Sequence, residues 1–279
     1  NIFEKSTNNA IKKIIIPDSV TNIGTSAFYN CEALTNITIP DSVTSIENYA
    51  FLDCYKLSDL SIGNKVKSIG YEAFCYCRSL TSITIPDSVT NIGEYAFSDC
   101  TSLTSVTIGN SIRSIGKNVF SSCTSLISVT IPASVTSIGN SAFYGCTALT
   151  NVTIPASVTS IGNKVFESCD SLERIDVDKN NMKYSSKDGI LFDKYKLTII
   201  KYPSNKRDIT EYVIPKTVNN ISEKAFCKCT ALINVTIPDS VTSIGSYAFY
   251  GCTALTNIVI PNSVTSIESD VFSGCTALT

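Results

Sequence analysis

Hydrophobic and polar positions follow one another along this chain in a pattern that repeats every 23 residues. In one copy, Leu80, Ile83 and Ile85 have the spacing of a half-buried strand, with serine and threonine between the apolar positions. Val89 and Ile92 mark a second extended stretch in the same copy. Self-similarity at this period predicts a solenoid, in which each copy is one coil that buries its apolar side against its neighbours.

The last part of each coil has a helical spacing. Ala96, Phe97 and Cys100 stand where a single helical turn would place them on one side. A short strand opposite a bulkier turn predicts a curved α/β solenoid, with a parallel β-sheet on the concave side and short helical turns on the outer side. Phenylalanines share the period and are expected to stack in a column. Gly93 marks the bend before the turn, and we expect glycine there for conformational ease, because Glu47 occupies the equivalent position.

One interval breaks the period. Leu172 and Leu232 are 60 residues apart, which is one coil plus 37 residues. The segment from 173 to 216 holds ten of the 22 Lys and Arg residues. Two apolar stretches on either side of Asp193 to Lys196 predict one β-hairpin insertion that projects from the stack or caps a break in it. The predicted organisation is a single solenoid over residues 1–279 with an irregular inserted unit at about 173–216.

Charge and chain ends limit the classes of partner. The net charge is −2 and the pI about 5.3, so we expect no nucleic-acid partner. No apolar run reaches the roughly 18 to 20 residues that span a bilayer, so membrane insertion is not expected. The chain starts without methionine and stops at Leu278 and Thr279, at the start of a further coil. We therefore expect a fragment of a longer chain, with possible end-to-end self-association through uncapped coils.

Ten of the twelve cysteines occupy one position of the repeat. A disulfide framework, a metal site and a column of buried thiols are the three interpretations. Coils about 4.8 Å apart would permit a disulfide, but parallel inward side chains have unsuitable Cβ directions, and the pattern favours buried thiols. Cys75 and Cys227 stand two residues before members of the column. We expect these two to be nearer the surface and more reactive.

The chain contains no histidine, which removes Ser-His-Asp and Cys-His pairs and the commonest metal ligand. Carboxylates are scattered, so we expect no enzyme and no cofactor, with a glycosidase-type carboxylate pair as a remote alternative. The strand face is polar and almost uncharged, and its charged exceptions are candidate contacts. Tyrosine and arginine are enriched in protein-binding hot spots. The candidate partner-binding residues are Arg174, Asp176, Tyr184, Tyr195, Lys196, Lys206, Arg207, Asp59 and Lys13.

The pattern Leu-x-x-Ile-x-Ile-Pro-x-x-Val-x-x-Ile-Gly-x-x-Ala-Phe-x-x-Cys resembles the BspA-like leucine-rich repeat of surface antigens. The resemblance covers essentially the whole chain, and residues 180–192 resemble a longer unit of that family. It implies an α/β leucine-rich-repeat solenoid at the cell surface or secreted, without catalytic residues. It also implies a protein partner of the host extracellular-matrix or surface-protein class.

Two functions from different classes follow from the sequence. The first is a non-enzymatic extracellular module for protein binding or adhesion, which uses the concave sheet and the segment 173–216. The second is a structural spacer that projects other domains from a surface and has no ligand of its own. The near-identity of the coils favours the spacer, because a specific site needs local variation.

Overall fold

The computed structural model describes residues 11–279, and these residues contain strands and turns but no helix. Accordingly, this part of the chain offers no helix that could cross a membrane. The chain forms two compact units. The first contains the described residues up to Leu149 together with Ser160–Cys169, and the second contains Thr150–Thr159 and Asp170–Thr279.

The first unit is built from short parallel strands that pair between successive coils. Residues that pair across neighbouring strands are 23 positions apart, as in Ser82 with Ser105 and Ser105 with Ser128. The longer strands are β2 (Asn36–Thr38), β4 (Asp59–Ser61), β6 (Ser82–Ile85), β8 (Ser105–Ile108) and β10 (Ser128–Thr130). The two-residue strands are β1 (Asn22–Ile23), β3 (Ser45–Ile46), β5 (Ser68–Ile69), β7 (Asn91–Ile92), β9 (Ser114–Ile115), β11 (Ser137–Ile138) and β13 (Ser160–Ile161).

The second unit combines parallel ladders with an antiparallel segment. Its strands are β12 (Asn151–Ile154), β14 (Arg174–Val177), β15 (Tyr184–Lys187), β16 (Ile190–Asp193), β17 (Thr198–Lys201), β18 (Glu211–Val213), β19 (Asn220–Ile221), β20 (Asn234–Thr236), β21 (Ser243–Ile244) and β22 (Asn257–Val259). β12 pairs with β14, and β18, β20 and β22 form another parallel ladder. β15, β16 and β17 are antiparallel, and β17 continues into the parallel strands β19 and β21.

The core consists of columns of equivalent side chains from successive coils. The ring centroids of Phe51 and Phe74 are 5.0 Å apart, and those of Phe74 and Phe97 are 5.3 Å apart. All three rings are fully buried. The predicted phenylalanine column is therefore confirmed, and it makes each coil depend on the next for burial of its largest side chain.

The predicted α/β class and the short helical turns at Ala96, Phe97 and Cys100 are wrong. The amides of Tyr95, Phe97 and Asp99 donate to carbonyl oxygens of the next coil, at 3.1, 3.0 and 2.8 Å, so they do not form the i to i−4 bonds of a helix. Tyr95 and Asp99 also have φ of 59° and 58°, which a right-handed helix excludes. The segment is a series of tight turns, and the regular coils of each unit stack through parallel β-strands.

Close packing of the coils explains the glycine at position 93. A Cβ atom on Gly93 would lie 2.5 Å from backbone atoms of Gly70 and Tyr71 in the preceding coil. Gly116 occupies the same position of the following coil, and a Cβ there would have only ordinary contacts, the nearest with Val119 Cγ2 at 3.5 Å. The expectation that glycine is used at position 93 for its conformational freedom is therefore wrong. The φ of Gly93 is not positive, and glycine is needed because a side chain would collide with the preceding coil.

The extra residues of the irregular segment lie within one coil. Glu211 pairs with Asn234, which is 23 positions further along the chain. By the same offset, Ile209 is the equivalent of Leu232 in the preceding coil. The interval from Leu172 to Ile209 is 37 residues, and a coil of ordinary length follows. We call residues 172–208 the enlarged coil. The predicted hairpin is observed in it as β16 and β17, and β15 adds a third strand that the sequence pattern did not indicate.

Candidate functional site

The enlarged coil is fixed to the coil before it by a buried asparagine. Asn181 is fully buried, and its Nδ2 donates to the carbonyl oxygens of Pro155 and Val158 at 2.8 and 2.9 Å. Its Oδ1 accepts hydrogen bonds from the amides of Lys183 and Tyr184, both at 2.8 Å. All these polar groups are satisfied by one side chain, which therefore determines where β15 begins.

Arg174 and Asp176 lie on the same side of β14 and form a bidentate ion pair. Arg174 Nε is 2.7 Å from Asp176 Oδ2, and its Nη2 is 2.8 Å from Oδ1. The hydrogen bond to Asp176 raises the pKa of Arg174. Both side chains are exposed, at 59% and 39%, so the pair adds little to stability and mainly orients the guanidinium.

A cavity of about 640 Å³ opens beside Arg174, where the enlarged coil interrupts the ladder of longer strands. Three of the candidate residues, Arg174, Lys206 and Arg207, contribute to its wall. The remaining lining residues are Glu173, Asp188, Asn205, Asp208 and Ile209. The cavity therefore brings three cations and three carboxylates to one place.

The segment before β18 supplies most of this wall. The amide of Asn205 donates to the carbonyl oxygen of Leu172 at 2.8 Å, which holds the segment against the coil. Lys206 is buried, and its Nζ is 3.2 Å from Asp208 Oδ2. Arg207 is exposed, and its Nε donates to Asn205 Oδ1 at 2.7 Å. This contact therefore orients the guanidinium of Arg207 but does not pair its charge with a carboxylate.

The hairpin turn presents two other candidates, which do not line the cavity. Tyr195 is 77% exposed, and Lys196 has a left-handed φ of 56°. Asp193 Oδ1 accepts hydrogen bonds from the amides of Leu197 and Thr198 at 2.7 and 2.9 Å, which fixes the turn. Tyr184 pairs across the sheet with Asp193, at the turn end of the hairpin strands, and is half-buried.

Asp59 and Lys13 belong to the first unit, whereas the cavity is in the second. Asp59 is exposed at the start of β4, opposite Asn36. Lys13 is exposed and forms an isolated parallel bridge with the other side of Asn36. These two candidates therefore share a neighbour on the strand face but contribute nothing to the cavity wall.

The candidates predicted from the sequence did not include four residues of the cavity wall or two exposed valines on the strand face. Glu173, Asp188, Asn205 and Asp208 lie in the charged segment but carried no individual signal. On β18 and β22, Val213 and Val259 are 69% and 71% exposed and flank Thr236 in register. The signal for both valines was available, because most equivalent positions hold threonine.

The cysteine column consists of free thiols, as the buried-thiol interpretation predicted. Cys100 Sγ donates to the carbonyl oxygen of Phe74 at 3.3 Å, and Cys123 Sγ donates to that of Phe97 at 3.2 Å. Burial raises the pKa of both thiols. Residues 11–279 contain no group of three or more His, Cys, Asp or Glu side chains that could hold a metal ion.

Cys75 and Cys227 are slightly nearer the surface than most thiols of the column, as expected, but both are still buried. Their exposed fractions are only 3% and 9%. Burial raises the pKa of Cys75 to about 12, so its reactive thiolate is scarce at neutral pH. The Cys-x-Cys spacing places this thiol under the turn, among packed side chains.

Repeating parallel coils, a buried phenylalanine column and one enlarged coil define a solenoid repeat protein. The family model of the BspA type leucine rich repeat region matches in six copies, over residues 1–127, 91–213 and 201–279. The chain belongs to this family, which confirms the resemblance seen in the repeat pattern.

Solved structures of bacterial proteins are similar to the chain. A leucine rich cell surface protein from Faecalibacterium prausnitzii A2-165 is 40% identical with a TM-score of 0.85, over 93% of this chain and 69% of the other. The pneumococcal vaccine antigen PcpA is 28% identical with a TM-score of 0.66, over 98% and 66%. A leucine-rich repeat protein from Eubacterium ventriosum is 29% identical with a TM-score of 0.67, over 88% and 71%. No curated protein matches the chain.

Proposed function

We propose that this chain is a non-enzymatic adhesion module, secreted or displayed on a cell surface, that binds a protein partner through its enlarged coil. The observation that carries the proposal is the charged cavity beside Arg174. It is the place where the chain departs from its own repeat, and it combines an exposed, oriented guanidinium of Arg207 with an oriented Arg174. Local departure from a repeat is what a specific site requires.

The chemistry of the cavity suits binding. Arg174 is held by Asp176 and Lys206 by Asp208, so these cations are already positioned and their charges are partly compensated. Such groups recognise carboxylates and backbone carbonyls on a partner surface through oriented hydrogen bonds. Exposed Tyr195 on the hairpin turn adds the kind of side chain that anchors protein interfaces.

The comparisons support the proposed location. One similar structure is described as a cell surface protein and another as a vaccine antigen. An extracellular-matrix or host surface protein is the partner we propose.

Binding to a panel of purified extracellular-matrix proteins, measured by biolayer interferometry, tests this function. Arg174→Glu and Arg207→Glu are each expected to lower the affinity at least tenfold, while Lys56→Glu, an exposed charge of the first unit, leaves it unchanged. A Tyr195→Ser, Lys196→Ser double variant should also lose affinity. Urea unfolding midpoints equal to that of the unmodified protein serve as the control for folding.

The spacer function gives a different result in the same assay. It is favoured by the regular stacking of the first unit, where paired residues are repeatedly 23 positions apart. A spacer shows no affinity for any member of the panel, and its function is lost only when coils are deleted. Binding that survives charge reversal at both arginines also contradicts the proposed role of the cavity.

A further inference from the structure

Three tyrosines on successive turns of the first unit form a continuous aromatic row, which we call the tyrosine ladder. The ring centroids of Tyr49 and Tyr71 are 5.4 Å apart, and those of Tyr71 and Tyr95 are 5.8 Å apart, both in edge-to-face arrangements. All three side chains are partly exposed. Hydrogen bonds between coils, from the amide of Tyr49 to the carbonyl oxygen of Tyr71 and from the amide of Glu72 to that of Glu94, set the spacing.

Carboxylates accompany the ladder. Glu47, Glu72 and Glu94 lie within two residues of its tyrosines, and the neighbouring carboxylate of Glu72 raises the pKa of Tyr71. None of these three carboxylates forms an ion pair within the part of the chain that the structure describes. The faces of tyrosine rings and these carboxylates attract the same kind of group, a cation.

The molecule already places its own cations over tyrosines of such turns. Lys117 Nζ is 5.7 Å from the ring centroid of Tyr95, at one end of the ladder. Arg78 Cζ is 5.4 Å from the centroid of Tyr76 in the same unit. Within the described residues, no cation lies over the ring of Tyr49 or Tyr71. These two rings and the carboxylates beside them are therefore open to a cation from a partner.

We propose that the tyrosine ladder is a second interaction surface, which binds an extended, arginine- or lysine-rich segment of a protein partner. In an extended peptide, every second side chain lies on the same side, and these side chains are about 6.6 Å apart. The ring centroids of the ladder are 5.4 and 5.8 Å apart, and long, flexible cationic side chains can accommodate this difference in spacing. The surface lies in the first unit and does not depend on the cavity of the enlarged coil.

The test uses the whole chain and a nine-residue peptide with arginine at every second position and glycine elsewhere, with binding measured by calorimetry. The control peptide has neutral citrulline in place of each arginine. In a Tyr49→Phe, Tyr71→Phe variant the rings remain, and the affinity should stay within about twofold of the unmodified protein. In a Tyr49→Leu, Tyr71→Leu variant the rings are lost, and the affinity should fall about tenfold, or about 1.4 kcal/mol.

Two further variants separate a ring effect from misfolding. Tyr144→Leu removes a 38% exposed tyrosine of another turn and should leave peptide affinity unchanged. Lys117→Met removes an exposed charge and frees the ring of Tyr95, so it should increase the affinity two- to threefold. Equal affinities for the arginine and citrulline peptides, or equal losses in the Phe and Leu double variants, would overturn the proposal. So would weaker binding in Lys117→Met.

Discussion

The clearest energetic prediction concerns Tyr202, which occupies the phenylalanine position of the enlarged coil. Its ring centroid is 5.1 Å from that of Phe226 in a stacked arrangement, so it continues the core column of the second unit. The side chain is fully buried, and its hydroxyl has no hydrogen-bond partner among the described residues. Burial raises the pKa of this hydroxyl, which reflects the same loss of solvation.

We predict that Tyr202→Phe stabilises the protein. The substitution keeps the ring and its stacking on Phe226, and removes only the buried hydroxyl. A buried polar group without a partner costs about 1 to 3 kcal/mol, so the variant should gain about 1 to 2 kcal/mol in free energy of unfolding. Because nearly the same surface is exposed on unfolding, the denaturant dependence should not change.

Urea unfolding followed by far-UV circular dichroism measures this difference. The matched control is Phe249→Tyr, which introduces a hydroxyl at a fully buried position of the same column. It should lose about 1 to 3 kcal/mol, the reverse of the first change. A Tyr202→Phe variant that is less stable than the unmodified protein by more than about 0.5 kcal/mol would show that the hydroxyl has a stabilising partner.

Three further predictions concern stability. Gly93→Ala should cost about 1 to 3 kcal/mol because its Cβ would lie 2.5 Å from the preceding backbone, whereas Gly116→Ala, whose nearest contact would be Val119 Cγ2 at 3.5 Å, should be neutral or slightly stabilising; urea unfolding compares the two. Asn181→Val should cost about 2 to 4 kcal/mol, because four backbone groups lose the hydrogen bond to this side chain, although the Pro155 carbonyl keeps another, from the Val158 amide; a smaller change in the same assay would contradict the anchoring role. The contribution of the Cys75 thiol to the free energy of unfolding should be fully present below pH 9.0. It should fall as the pH rises towards 12, because the thiol of the unfolded chain loses its proton first. Cys75→Ala should reduce the slope of the free energy of unfolding against pH in this range, and an unchanged slope would show that Cys75 is not its source.

The coil and its columns could be predicted from the sequence because they depend on the repeat itself. Equivalent side chains such as Phe74 and Phe97 must meet whenever successive copies stack, whatever the exact backbone path. The turn after Gly93 was mispredicted for a physical reason. The i, i+1, i+4 spacing of Ala96, Phe97 and Cys100 is shared by a helix and by tight turns, and hydrogen bonds to the next coil, which decide between them, are not visible in one copy.

The candidate site was predictable only in part. The concentration of Lys and Arg in residues 173–216 pointed to the enlarged coil, and three of the candidates line its cavity. The positions of Lys206 and Tyr195, one buried in the wall and the other on the hairpin turn, depend on non-periodic packing. A repeat pattern carries no information about such packing, because it describes only what the coils share.

The most direct measurement for the account is amide hydrogen exchange with and without a matrix protein that binds the chain in the interferometry panel. We predict that the bound partner slows exchange in residues 186–209, which contain the hairpin and the segment that forms the cavity wall. Exchange in the turns of the first unit around Tyr144 should not change. Slower exchange spread evenly over all coils, or none in residues 186–209, would contradict a binding site in the enlarged coil.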